Sequence, residues 1–162
     1  VMFEFARRLE RSSTRLPTRL ILSGQRAFHC PPPRLPIYDL DDDTFLAEIQ
    51  RYGGTPHGLF EDEELRSVFL PLLRADFTLG ETYVHREGPP LETDLSVYGG
   101  LEDEEVSVAD IHAWERYTSG LFNCRMFPGN HFFLHQHESL FITHLLRDLD
   151  CSPGPPQNSS SM

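Results

Sequence analysis

The run Phe127-Pro128-Gly129-Asn130-His131-Phe132-Phe133-Leu134 limits the fold most, because it places a histidine where a strand has just ended. Residues 121–127 set Phe122, Cys124 and Met126 opposite Asn123 and Arg125, the two-residue period of a short strand. Pro128 and Gly129 stop that strand, and Asn130 is one of the few side chains that tolerate a left-handed backbone. His131 therefore belongs to a tight turn at a strand's carboxyl end, anchored by two phenylalanines. In open parallel sheets this is the edge where chemistry collects. A histidine found there alone would be satisfied by a local hydrogen bond and need no other explanation.

A second segment supplies an acid. Leu95-Ser96-Val97-Tyr98-Gly99-Gly100-Leu101-Glu102-Asp103 reads as a short strand that ends in a glycine pair and delivers a carboxylate just beyond it. Between Asp103 and His131 lie one helix-like segment, about residues 108–117, and the strand already described. Strand, acid loop, helix, strand and histidine loop make a βαβ unit, which connects right-handedly. Both loops leave the sheet at one edge, so Asp103 and His131 can meet. An acid that orients a histidine, with the acid first in the chain, is the second half of an α/β-hydrolase triad.

Five motifs carry a closer likeness: Arg51-Tyr52-Gly53-Gly54-Thr55-Pro56, Leu73-Arg74-Ala75-Asp76-Phe77, Tyr98-Gly99-Gly100-Leu101-Glu102-Asp103, Trp114, and the His131 run itself. In their order and spacing the chain, to about Leu149, resembles the C-terminal part of a type II thioesterase. That family is the free-standing editing hydrolase of polyketide and nonribosomal peptide assembly lines. Asn130 departs from the glycine usual in the family, although asparagine can hold the same turn. The larger departure is at the start. In the family a Gly-His-Ser-x-Gly elbow stands directly before a helix much like residues 1–9, and no Gly-x-Ser-x-Gly occurs in this sequence.

The resemblance implies an α/β fold, the C-terminal portion of an α/β-hydrolase. Its parallel strands are expected at about 19–23, 95–99 and 121–127, with a helical lid at 41–79. Residues 1–150 would form this incomplete domain and 151–162 a disordered tail. The activity implied is serine-type hydrolysis of acyl or peptidyl thioesters carried on the phosphopantetheine arm of a carrier protein. His131 would be the base and Asp103 its orienter. No cofactor and no metal are expected, the partners are acyl or peptidyl carrier proteins, and the parent enzyme would be a monomer. The favoured expectation is an incomplete record of such an enzyme, inactive alone. The alternative is a genuine short product, a non-catalytic remnant that binds a carrier protein or a partner chain.

Charge and cysteine usage narrow the setting. The net charge is −11, yet residues 1–36 hold seven arginines against Glu4 and Glu10, a surplus of five positive charges. The remainder is therefore negative by sixteen, which argues against a nucleic-acid partner, since that needs a dominant basic surface. Arg7, Arg8, Arg11, Arg15 and Arg19 read as a solvated helix face, and as the best meeting point for an acidic partner. Cys30, Cys124 and Cys151 form no paired framework, which fits a reducing cytoplasm. No run of 18 apolar residues and no signal-peptide pattern is present, so neither a membrane span nor secretion is expected.

Taken in order, residues 1–11 predict an amphipathic helix with Met2, Phe5, Ala6 and Leu9 on its apolar face. Residues 19–23 predict a strand closed by Gly24, and the proline run 31–33 an irregular loop. Asp41–Asp43 offer an N-cap for a helix to about Tyr52, and a second helix spans about 61–73. Periodicity leaves these two helices open between packed core and lid; the lid comes from the resemblance. A last helix is expected over 138–149.

Several carboxylates compete to orient His131. Asp94 precedes its strand, and five residues at about 3.3 Å each put it about 16 Å away at the wrong edge. Glu104 and Glu105 are expected to open the next helix, where acids favour the dipole. Asp103 matches the family position, with Glu102 second. His131, His135, His137 and His144 suggest a metal, but no carboxylate or cysteine completes a zinc spacing. The last three are expected to be exposed. Cys30 lacks the helix N-terminus that would make it a nucleophile.

Overall fold

The computed structural model describes residues 1–12, 16–55 and 58–150. The expected tail, 151–162, lies outside the described residues. Two compact units emerge: one joins Val1–Ala27 to the chain from Gly88 onward, the other is Phe28–Glu87.

The first unit is built on strands β1 (Arg19–Ser23), β2 (Asp94–Gly100) and β3 (Phe122–Phe127). They form a parallel sheet in the order β1-β2-β3, with Leu22 opposite Val97 and Val97 opposite Cys124. This is the expected parallel arrangement, with strand ends shifted by about one residue. β2 is the middle strand and is buried on both faces from Leu95 to Gly100, where the hydroxyl of Ser96 accepts from the Arg19 guanidinium at 2.8 Å. On one face, helix α4 (Val108–His112) sets Ile111 against Gly99, where a β-carbon would come within 2.9 Å of the isoleucine. On the other, Tyr98 packs with Phe127 and Phe133 and against Phe141 of the last helix.

α1 (Met2–Arg11) forms as expected but presents a different face. Phe3, Ala6 and Arg7 are buried, while Met2 and Phe5 are more than half exposed. Arg7 is thus no solvated arginine: its guanidinium pairs with Glu4 at 3.1 Å and lies against Gly88, whose missing side chain leaves room for it. The expected helix at 108–117 divides into α4 and a 3-10 helix over Ala113–Tyr117. Glu104 and Glu105 do not open it. Ser107 is the N-cap, in a capping box with Asp110.

A short helix not expected from the sequence, α5 (Phe133–Gln136), follows the histidine turn, and α6 (Glu138–Asp150) ends the described chain. α6 is tied to the sheet through Asp148, which accepts from the Tyr98 hydroxyl at 2.5 Å, Asn123 at 2.8 Å and Arg125 at 3.0 Å. Burial works to raise the Asp148 pKa, but the bonds from Tyr98 and Arg125, with the charges of Arg125 and Arg19, outweigh it and hold the carboxyl below its ordinary value. His144 is less exposed than expected: its ring packs against Phe127 and its Nδ1 is buried.

The second unit holds α2 (Asp42–Arg51), capped by Asp41 as expected, and α3 (Glu63–Glu81). α3 runs eight residues past the expected end at Leu73 and passes through Pro71. Its far end is held because Glu81 accepts from the backbone N–H groups of Ile37 and Tyr38, both at 2.9 Å. Leu70, Leu73 and Phe77 pack on the core of Ile37, Phe45, Leu46, Ile49 and Phe60.

Candidate active site

β2 and β3 lie side by side, and both end at the same edge of the sheet. Beyond that edge their loops stay zipped: Leu101 N–H donates to Phe127 O at 2.8 Å and Glu102 N–H to Gly129 O at 2.9 Å. The glycine pair permits this approach. The turn itself needs glycine at 129, where φ is +106°. Asn130 acts through its side chain, whose Oδ1 accepts from Phe132 N–H at 2.9 Å, while Gln136 accepts from Asn130 N–H at 3.2 Å. Phe133 is fully buried and stacks on Phe127 at 5.3 Å, so it alone of the two phenylalanines anchors the turn from below; Phe132 is half-buried and packs against His131 instead.

The two loops bring Asp103 and His131 together. His131 Nδ1–H donates to Asp103 Oδ2 at 2.9 Å. The other carboxylate oxygen accepts from the backbone N–H groups of Glu105 and Val106, at 2.8 and 3.1 Å. The acid is thus fixed by its own loop, and its side chain is completely buried against 32% exposure for the histidine. The histidine is the more exposed member of the pair, and its Nε2 makes no hydrogen bond among the described residues. The bond to Asp103 raises the His131 pKa, burial opposes it, and the charges of Asp103 and Glu105 add to the rise while Arg26 works against it.

The other candidates fall elsewhere. Glu102 contributes its backbone N–H to the zipper and is exposed. Asp94 stands at the opposite end of β2, paired with Arg19 at 3.1 Å and accepting from Leu121 N–H at 2.8 Å. His135 and His137 are exposed, and among the described residues no group of three metal-ligating side chains converges. Sequence reasoning missed Gln136, whose only signal was its place three residues after Phe133.

A parallel sheet with helices on both faces, and acid and histidine on neighbouring carboxyl-end loops, defines an α/β-hydrolase-type fold. The thioesterase domain family matches residues 1–151, and the chain belongs to that family. A Brevibacillus parabrevis protein named linear gramicidin dehydrogenase LgrE is 40% identical over 145 residues, which are 88% of this chain and 55% of that protein. Thioesterase PikA5 of Streptomyces venezuelae is 40% identical over 134 residues, 83% of this chain and 47% of its own. The solved structure of YbtT, the type II thioesterase from the yersiniabactin NRPS/PKS biosynthetic pathway, aligns with a TM-score of 0.79 at 36% identity. That alignment covers 90% of this chain and 59% of YbtT. The chain spans about half the length of the curated relatives it matches. Among the described residues no helix is long and apolar enough to cross a membrane.

Proposed function

We propose that this chain carries the acid and the base of a serine thioesterase that frees acyl or peptidyl groups from the phosphopantetheine arms of carrier proteins in polyketide or nonribosomal peptide synthesis. The observation that carries the proposal is the buried Asp103 carboxylate 2.9 Å from His131 Nδ1, with Nε2 left open. A group in that position can take a proton from a nucleophile and return it.

In the proposed reaction a serine oxygen attacks the thioester carbonyl while His131 Nε2 accepts the serine proton. Asp103 holds the tautomer with Nδ1 protonated and stabilises the imidazolium. Collapse of the tetrahedral intermediate breaks the C–S bond, and the proton passes from Nε2 to the thiolate. Water then attacks the acyl-serine with His131 again as base, and as the C–O bond to serine breaks the proton passes from Nε2 to the serine oxygen and the free acid leaves. The raised His131 pKa serves this cycle, because Asp103 makes the imidazole a better acceptor. The serine and one backbone donor for the oxyanion would come from a Gly-x-Ser-x-Gly elbow, which these 162 residues do not contain, and the second donor from an earlier loop. Residues 41–79, within the helical unit, would serve as the lid.

The test joins the elbow-bearing N-terminal portion of YbtT to Val1 and follows acid release from an acyl carrier protein. The fusion should hydrolyse the thioester, and His131→Ala or Asp103→Ala should slow it by at least about 100-fold. The 162-residue chain alone should show no hydrolysis above background. A folded fusion whose rate ignores His131→Ala would remove the assignment. Tight carrier binding without turnover would favour a binding module instead.

A further inference from the structure

Trp114 lies eleven residues after Asp103 and seventeen before His131, and nothing in the reaction above uses it. Its ring is buried to 1% exposure, beside Phe3 at 5.6 Å and Tyr117 at 5.2 Å between ring centres. Apolar packing accounts for the ring but not for its N–H, which must find an acceptor when buried. It donates to the backbone carbonyl of Gln25 at 2.7 Å. Gln25 belongs to the turn just past β1, and that turn has two further ties. Gly24 N–H donates to Tyr98 O at 2.9 Å, extending the sheet by one rung, and Ala27 N–H donates to Asp110 O at 3.3 Å.

A turn held at three points is fixed for a reason, and the neighbour of Gly24 supplies one. Gly24 has φ +59°, and a β-carbon added there would lie 3.3 Å from His131 Cε1 and 3.7 Å from each ring nitrogen. Gly24 therefore faces the Nδ1–Cε1–Nε2 part of the imidazole across a gap too narrow for a side chain. An asparagine could satisfy the left-handed backbone, but any β-carbon would press on the ring. Phe132 closes another side, edge-on at 5.4 Å and 84°.

We propose that the Gly24 turn is the rear wall of the His131 imidazole, and that Trp114 holds this wall in place through the Gln25 carbonyl. Gly24 and Trp114 are then positioning residues for the Asp103–His131 pair. The wall confines the ring to the orientation in which Nδ1 meets Asp103 and Nε2 stays open. This gives a use in the reaction, resting on the reading of His131 as base, to residues that touch no substrate.

The experiment is NMR on the full 162-residue chain, and it needs no hydrolysis, so it can fail while the thioesterase reading stands, and the reverse. In the unaltered protein, the Gly24 α-protons should show a strong cross-relaxation peak to His131 Hε1. Its absence from an assigned spectrum would remove the wall. The His131 titration is then compared in Trp114→Phe, which keeps an aromatic ring and deletes the N–H, and in Gly24→Ala. Asp103→Asn marks complete loss of the partner. Asp103 and Glu105, which raise the His131 pKa, and Arg26, which lowers it, are unchanged in both variants. Each variant should move the titration at least halfway to that of Asp103→Asn. Variants that melt at a lower temperature with an unmoved His131 titration would show a structural role only and overturn the proposal. Should either variant fail to fold, the other one and the cross-relaxation peak decide.

Discussion

Gly100 faces Gly129 so closely that a β-carbon on Gly100 would stand 2.5 Å from the Gly129 carbonyl oxygen and 2.4 Å from that of Asn130. Both obstacles are backbone, in a turn that cannot retreat without breaking the bond from Glu102 N–H to Gly129 O. The glycine at the end of β2 thereby sets how near the histidine loop comes to the acid loop.

Gly100→Ala should therefore force the loops apart. Overpacking of this kind costs about 1–3 kcal/mol, read as a lower urea midpoint. The Nδ1 proton of His131, shielded from exchange by its bond to Asp103, should lose its low-field signal. A variant with an unchanged midpoint and an unchanged signal would contradict the close approach.

Much of this site is legible in sequence because its signals are short-range. The alternation ending at Phe127, the turn residues 128–130 and the glycine pair at 99–100 each act within a few positions, and together they predicted an acid loop beside a histidine loop; the choice of Asp103 among the acids came from the resemblance. The errors have a common cause in contacts across the fold. α1 carries Phe3 and Arg7 inward although Met2 and Phe5 look as suitable, because Arg7 finds Glu4 and the space over Gly88. Pro71 and Gly80 argue for an early end to α3, yet Glu81 is held by the N–H groups of Ile37 and Tyr38, more than forty residues earlier. Glu4 is local to Arg7, but Gly88 and the Ile37–Tyr38 backbone lie far along the chain from the side chains they hold.

Arg74 gives a second prediction, for the helical unit. One guanidinium nitrogen donates to Tyr38 O at 2.6 Å and Leu40 O at 2.8 Å, the other to Asp42 at 2.7 Å, and the group lies 4.4 Å over the Phe45 ring. A lysine keeps the charge but cannot reach three acceptors in one plane. Arg74→Lys should lose about 1–3 kcal/mol, the scale of hydrogen bonds left unmade at a charged donor. Hydrogen exchange should accelerate at the amides of residues 38–49 and stay unchanged across β2. Uniform protection in both places would show that the arginine is dispensable.

The last prediction concerns pH. The folded protein raises the His131 pKa above 6.5, chiefly through the bond to Asp103, so the native state binds that proton more tightly than the unfolded chain does. The stabilisation is fully present below the ordinary histidine value and is lost as pH rises through the raised one. His144 has the opposite sign. Burial lowers its pKa, with Arg125 and Arg147 adding to the effect, so its contribution is present at neutral pH and lost on acidification below the ordinary value. Urea midpoints measured from pH 5 to pH 9 for the unaltered chain, His131→Gln and His144→Gln separate the two. The advantage of the unaltered chain over His131→Gln should shrink as pH rises, whereas its advantage over His144→Gln should grow between pH 5 and 7. An advantage over His131→Gln that is flat across the range would mean that Asp103 and His131 do not share a proton in solution, whatever the distance between them.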